Sequence, residues 1–219
     1  MWLCASLSKT VRTSRGITLV ELVVSIGIIT IIGLGIVAFQ RSVISNTKVL
    51  QSSFSAQQQI RKTLQSFVSE LRAAAPSALG TYALESVATS SIVFYSNADN
   101  DASVERIRYF FATTTVNGEY NALKKGVIKP VGTVYNSANE IITTVVRDVR
   151  NSSTTPIFSY YDATYNGTAS STAPLAWPVS IPAIRLVKIN IAVDPNIARS
   201  PVFQFYSTQV SIRNLKDNL

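Results

Sequence analysis

From residue 22 to residue 39 the chain reads LVVSIGIITIIGLGIVAF, without a single charge. No polar face interrupts the run, so it predicts a helix that is apolar all round. With residues 17–20 added, the run reaches the ~20 positions that a helix needs to cross a bilayer. Gly27, Gly33 and Gly35 lower helix propensity in water, but are tolerated in lipid and let helices approach closely. The pattern then changes without a gap. Leu50, Phe54, Ile60 or Arg61, Leu64, Phe67 or Val68, and Leu71 recur every three or four positions, with Gln, Ser, Arg and Lys between them. That spacing predicts an amphipathic helix with one apolar stripe. Good helix formers dominate residues 56–75, and Pro76-Ser77 predicts the stop. A continuous helix over residues 17–75 would be about 90 Å long at 1.5 Å per residue. The alternative is two helices with a break near Gln40-Arg41-Ser42.

After Pro76 the helical period disappears, and Tyr, Thr, Val, Ile, Ser and Asn become abundant. β-Branched and aromatic runs predict strands at 91–96, 105–115, 141–149, 157–161, 184–193 and 202–213. Residues 186–193 come close to strict alternation, and so does Val210-Ser211-Ile212-Arg213, as in strands with one buried and one wet face. Asn117-Gly118 and Asn166-Gly167 are turn signals. Residues 151–156 and 165–182 read as polar or proline-rich loops. The expectation is an α+β protein in which the second half of a long N-terminal helix packs against an antiparallel sheet domain.

Composition narrows the chemistry. The formal charge is +8, but Lys9, Arg12 and Arg15 all precede Gly16, and the remainder is not concentrated in one run. Cations ahead of the apolar segment favour keeping that end in the cytoplasm, with the C-terminal body outside the membrane. Cys4 is the only cysteine and there is no histidine. The usual zinc sites, catalytic triads and imidazole acid–base chemistry are therefore not expected.

Glu21 is the residue that needs an explanation. A carboxylate in an apolar run is expensive in lipid and is a functional candidate by default. A secretory signal peptide or a plain signal anchor accounts for the hydrophobicity but not for this acid. Gly16-Ile17-Thr18-Leu19-Val20-Glu21-Leu22, behind its basic leader, resembles the class III signal of type IV pilins and pseudopilins. The resemblance implies cleavage by a prepilin peptidase after Gly16 and N-methylation of Ile17, which stands where phenylalanine is more usual. It also implies assembly with other pilins or pseudopilins through the apolar helix, and lipid contact before assembly. Physics supplies a role for Glu21 in such a fibre. The acid lies four residues along, roughly 6 Å from the Ile17 amine. A neighbouring subunit displaced along the fibre would bring its own positive N-terminus beside the carboxylate. Pairing would offset a desolvation cost of several kcal/mol.

Body segments resemble the J-type minor pseudopilins and related minor pilins: Ile107-Arg108-Tyr109-Phe110, Leu123-Lys124-Lys125-Gly126, Val145-Val146-Arg147-Asp148-Val149, Pro156-Ile157-Phe158-Ser159-Tyr160-Tyr161 and Ser207-Thr208-Gln209-Val210-Ser211-Ile212-Arg213-Asn214-Leu215. The chain lacks the C-terminal cysteine pair of many major pilins. The resemblance implies a pilin-like fold divided into a leader (1–16), a transmembrane half-helix (17–39), an amphipathic half-helix (40–75) and a β-rich body (76–219). It implies a non-enzymatic minor subunit of a type II secretion pseudopilus or type IV pilus, at or near the tip. Rival readings are a DNA-capturing minor pilin and a plain signal-anchored surface protein.

Elsewhere the sequence offers little chemistry. It shows no phosphate loop and no nucleophile–base pair, so no catalytic residue, cofactor or resident metal is expected. Asp99, Asn100, Asp101 and Glu105 form the densest acidic group. They lack EF-hand spacing and read as a solvated turn, with calcium the alternative that the family resemblance adds. Lys124, Lys125 and Lys129, near Tyr120 and Tyr135, read as solvated surface, the alternative being contact with DNA phosphates. Asn151-Ser152-Ser153 and Asn166-Gly167-Thr168 match the N-glycosylation triplet, a match expected to be accidental.

Overall fold

The computed structural model describes residues 16–99, 101, 103–113, 121–165, 173–194 and 203–212. The turn signals at Asn117-Gly118 and Asn166-Gly167, the leader cations and the second glycosylation triplet lie outside them. A helix α1 (Leu19–Arg72) is followed by strands β1 (Leu84–Val87), β2 (Ser91–Ser96), β3 (Glu105–Ala112), β4 (Ala122–Ile128), β5 (Ile141–Val146), β6 (Phe158–Tyr161), β7 (Leu186–Val193) and β8 (Gln204–Ser211). The α+β expectation holds. The chain divides into two compact units, Met1–Lys48 and Val49–Leu219.

In the first unit, α1 is apolar over Leu19–Ile44, 26 residues, long enough to cross a membrane. Every residue from Gly16 to Ile44 is exposed. Two of its hydroxyls bond back within the helix: Ser25 Oγ donates to the Glu21 carbonyl at 2.7 Å and Thr30 Oγ1 to the Ile26 carbonyl at 2.8 Å. Such back-bonding lets serine and threonine sit in an apolar helix with no unsatisfied donor.

In the second unit, Ile60, Phe67 and Leu71 carry the helix into the core. Their spacing of seven and four is the predicted apolar stripe, joined by Thr63 and Glu70, which are also buried. The stripe begins later than expected, because Phe54 is 66% exposed; the Leu50 side chain lies outside the described set. Phe67 is the centre of the packing. Its ring meets Tyr109 edge-on at 5.2 Å and Phe94 edge-on at 6.4 Å, and tilts against Phe158 at 5.8 Å. Burying such a ring contributes roughly 2–3 kcal/mol, with about 1 kcal/mol more from each edge-on pair.

Those three partners come from two sheets. One is five-stranded with order β1-β2-β3-β4-β5, the other three-stranded with order β6-β7-β8, and all pairings between the strands are antiparallel. Alternation sets the faces. In β3, Ile107 and Tyr109 are buried while Arg106 and Arg108 point to the other face; their β4 partners are Val127, Lys125, Ile128 and Gly126. In β7, Val187, Ile189 and Ile191 are buried. The sheets are tied where Val149 bridges Val193 and Arg150 N–H donates to the Ala192 carbonyl at 2.7 Å.

Strands β3, β6, β7 and β8 are shorter than expected by one to four residues, and three further boundaries differ for local reasons. The helix starts at Leu19 rather than 17, because the Thr18 hydroxyl accepts the Glu21 N–H at 3.3 Å and caps it. It ends at Arg72 rather than 75, because Ala74 bridges Ser96 and Ala75 N–H donates to the Tyr95 carbonyl, so sheet bonding claims the chain before Pro76. The strand expected over 141–149 stops at Val146, and Asp148 beyond it has φ +55°. Strands β1 and β4 were not expected. LESV is short and half polar, and ALKKGVI carries adjacent lysines; pairing on both edges of β4 and at β1 overrides weak local preference.

Candidate functional site

The N-terminal segment presents three sequence-selected residues together. Gly16 and Ile17 precede the helix and Glu21 stands in its first turn, all exposed. Thr18-Leu19-Val20-Glu21 also has capping-box spacing, and the Thr18–Glu21 N–H bond is one half of such a box. Glu21 therefore sits where a carboxylate complements the helix N-terminus. The sequence signal for this local role is Thr-x-x-Glu ahead of an apolar run.

The body contains a second polar centre that local sequence did not single out. Glu70 lies on the buried face of α1 at 8% exposure. Its Oε1 accepts Lys125 Nζ and Ser66 Oγ, both at 2.6 Å, and its Oε2 accepts Tyr109 Oη at 2.9 Å. Lys125 Nζ also stands 5.7 Å from the Tyr109 ring centre. Burial, then the Glu70 charge, pushes the Tyr109 phenol well above its ordinary range. The same helix turn binds β2, since Ser96 Oγ donates to the Glu70 carbonyl at 2.7 Å. These groups fasten α1 to β2, β3 and β4. They hold no nucleophile–base pair and open no cleft.

The lysine group is a correction. Lys124 is fully buried, and among the described residues its Nζ has no hydrogen-bond partner; Lys125 is in the Glu70 cluster. Lys124 is therefore not solvated surface, and the half-buried Lys125 is committed to Glu70. Successive strand residues point to opposite faces, so adjacent lysines entered different surroundings, and both were covered. Only Lys129 of the three is exposed, and it is ion-paired with Asp99 and Asp101.

That pairing also decides the acidic group. Asp99, Asp101 and Glu105 bring carboxylate oxygens within 4.8 Å of one another. Lys129 reaches both aspartates and supplies the positive charge a cation would bring, so the residues present do not fit a calcium ion without displacing it. The turn is not wholly solvated either: Glu105 is buried, accepting the Ala98 N–H at 2.8 Å. Asp101 Oδ1 accepts both the Ser103 N–H and hydroxyl at 2.6 Å, the arrangement of an Asx turn. Asn151 of the first glycosylation triplet is a staple. Its Nδ2 donates to the carbonyls of Thr155 and Asn190, and its Oδ1 accepts the Ala192 N–H at 2.8 Å.

No protein-family model, curated protein or solved structure matches this chain.

Proposed function

We propose that the protein is a membrane-anchored minor pilin or pseudopilin, a structural subunit rather than an enzyme. The observation that carries this reading is the coincidence of Gly16, Ile17 and Glu21 at the head of a helix whose first 26 residues are apolar and exposed. The same helix, at Ile60, Phe67 and Leu71, forms part of the core of a β-rich body. A basic leader followed by glycine suits a prepilin peptidase, and the cut frees the Ile17 amine. In the membrane the body stands outside the cytoplasm as the head of a single-pass anchor.

Assembly is mechanical in this reading. The subunit leaves the bilayer and its apolar helix joins a bundle of like helices, which replace lipid around Leu22 to Phe39. Glu21 then meets the N-terminal amine of a neighbour, since an isolated carboxylate among apolar helices costs several kcal/mol and a paired one is retained for register. Mass spectrometry of the N-terminus from membranes that contain a prepilin peptidase tests the first step. The expected mature chain begins at Ile17 and carries a methyl group on its amine. A retained leader, or a start at any other residue, rejects the proposal.

A further inference from the structure

Eight-residue strands at the edge of a sheet present a row of free N–H and C=O groups, and proteins blunt them with charge, proline, bulges or cover. Among the described strands there are four sheet edges, and three of them are managed. Strand β1 is four residues long and carries Glu85. The end of β5 is covered by α1, where Thr63 Oγ1 donates to the Val145 carbonyl at 2.9 Å. Strand β6 is bonded on its flank: Phe158 N–H donates to the Thr89 carbonyl and Leu175 N–H to the Tyr160 carbonyl. Strand β8 differs. QFYSTQVS has no charge and no proline, it pairs with β7 along its whole length without a bulge, and it is last in its sheet. Among the described residues, no strand or bridge pairs with its other edge.

Beside that edge runs a groove of about 460 Å³ between β8 and α1. Consecutive residues Ser207 and Thr208 both line it. Consecutive strand side chains point to opposite faces, so a groove touching both borders the strand's edge. Its floor is the half-buried pair Leu64 and Val68, and Arg61 and Arg72 stand at its two ends. The arginines are eleven residues apart, roughly 16 Å along the helix and within about 20° of the same face. Both are exposed, and among the described residues neither has an ion-pair partner. Among the described residues, no acidic one lines the groove.

We propose that this groove receives an extended acidic segment of a partner protein, which adds a strand to β8. Main-chain bonds to the β8 edge would supply affinity and side-chain pockets the specificity, as in strand addition generally. The charge and spacing define the segment. Residues that face α1 from an added strand alternate, and four residues span about 13 Å, a gap that arginine side chains close. The sequence taken is therefore acid–x–apolar–x–acid, with its carboxylates on Arg61 and Arg72 and its central side chain on Leu64 and Val68. The groove's geometry carries this proposal independently of how the N-terminus is processed.

The test uses the full chain in detergent micelles and a fluorescent peptide, acetyl-Thr-Glu-Thr-Val-Thr-Glu-Thr, followed by anisotropy. Saturable binding is expected, with about tenfold or greater loss when both glutamates are replaced by lysine. Arg61→Glu combined with Arg72→Glu should reverse that preference, and circular dichroism should show its fold unchanged because both side chains are exposed. N-methylation of alternate peptide amides should abolish binding on one of the two alternations. Absence of saturable binding, an unreversed preference in the double variant, or indifference to N-methylation on both alternations overturns the proposal.

Discussion

Glu70 of α1 accepts the Lys125 ammonium of β4 at 2.6 Å inside the body, joining residues 55 positions apart. The pair is one helix turn from Phe67 and shares its carboxylate with Ser66 and Tyr109, so the buried carboxylate accepts hydrogen bonds from three side chains. Removing one member leaves the other without compensation. Glu70→Ala should therefore destabilise the fold by about 3–5 kcal/mol, whereas Glu70→Leu with Lys125→Met should cost much less. Urea unfolding of the two variants measures the difference. A Glu70→Ala cost below about 1 kcal/mol, the scale of an exposed pair, would remove the cluster from the structural core.

Acid should weaken the body through carboxylates that the fold holds deprotonated. The Arg106 guanidinium, bonded to Glu85 through two nitrogens at 2.6 and 2.7 Å, holds that carboxyl below its ordinary 4.5, with the Tyr95 hydroxyl assisting. Hydrogen bonds from Ser103 and Thr164 lower Asp101 and Asp162 likewise. A depressed folded pKa means that the unfolded chain binds more protons, so the contribution is present above the ordinary value and lost as pH falls through the folded one. The melting temperature should hold from neutrality down to about pH 5 and decline below it. Glu85→Gln should flatten that decline; an unchanged acid limb would exclude Glu85.

The alkaline limb has the opposite sign. Burial raises the phenols of Tyr109 and Tyr160 above the ordinary 10.0. Their stabilisation is complete below that value and disappears as pH rises above it, when the unfolded chain ionises first. Phenolate absorbance should show these two tyrosines titrating only as the body unfolds. Ionisation of every tyrosine in the still-folded protein would contradict their burial.

Gly126 makes room for an ion pair. A Cβ there would collide with Glu140 Oε1, part of the carboxylate that receives the Arg108 guanidinium at 2.6–2.8 Å. Glu140 is the flexible partner, so Gly126→Ala should move it off Arg108 and cost about 1 kcal/mol. In a Glu140→Ala background the same change should cost nothing or stabilise slightly, because alanine suits a strand better than glycine. Equal costs in both backgrounds would place the strain in the backbone instead.

Glu21 has a local role and a proposed intermolecular one, and two variants separate them. Glu21→Gln keeps a capping-box residue but removes the charge. Thr18→Ala removes the observed cap and keeps the charge. Fibre incorporation, measured against membrane-bound protein, should fall in Glu21→Gln and persist in Thr18→Ala. The reverse result would make the acid a helix cap and no more.

The apolar helix and most of the β-rich body were legible in the sequence for one reason: their signals are local. A run such as residues 22–39 needs no partner to be apolar, and 186–193 shows its alternation within its own eight residues. The Gly16–Glu21 pattern was legible on the same ground, as neighbours on one strip of chain. Tertiary structure alone decided the fate of the charges. Nothing around Glu70, Lys124 or Lys125 distinguishes them from surface residues until β4 is inserted between β3 and β5, with α1 lying across one face of the sheet. Sheet register then sets Lys125 against Glu70 and leaves Lys124 buried on the opposite side. Helical and strand periods repeat within a few residues, whereas a buried ion pair depends on the register of segments 55 residues apart.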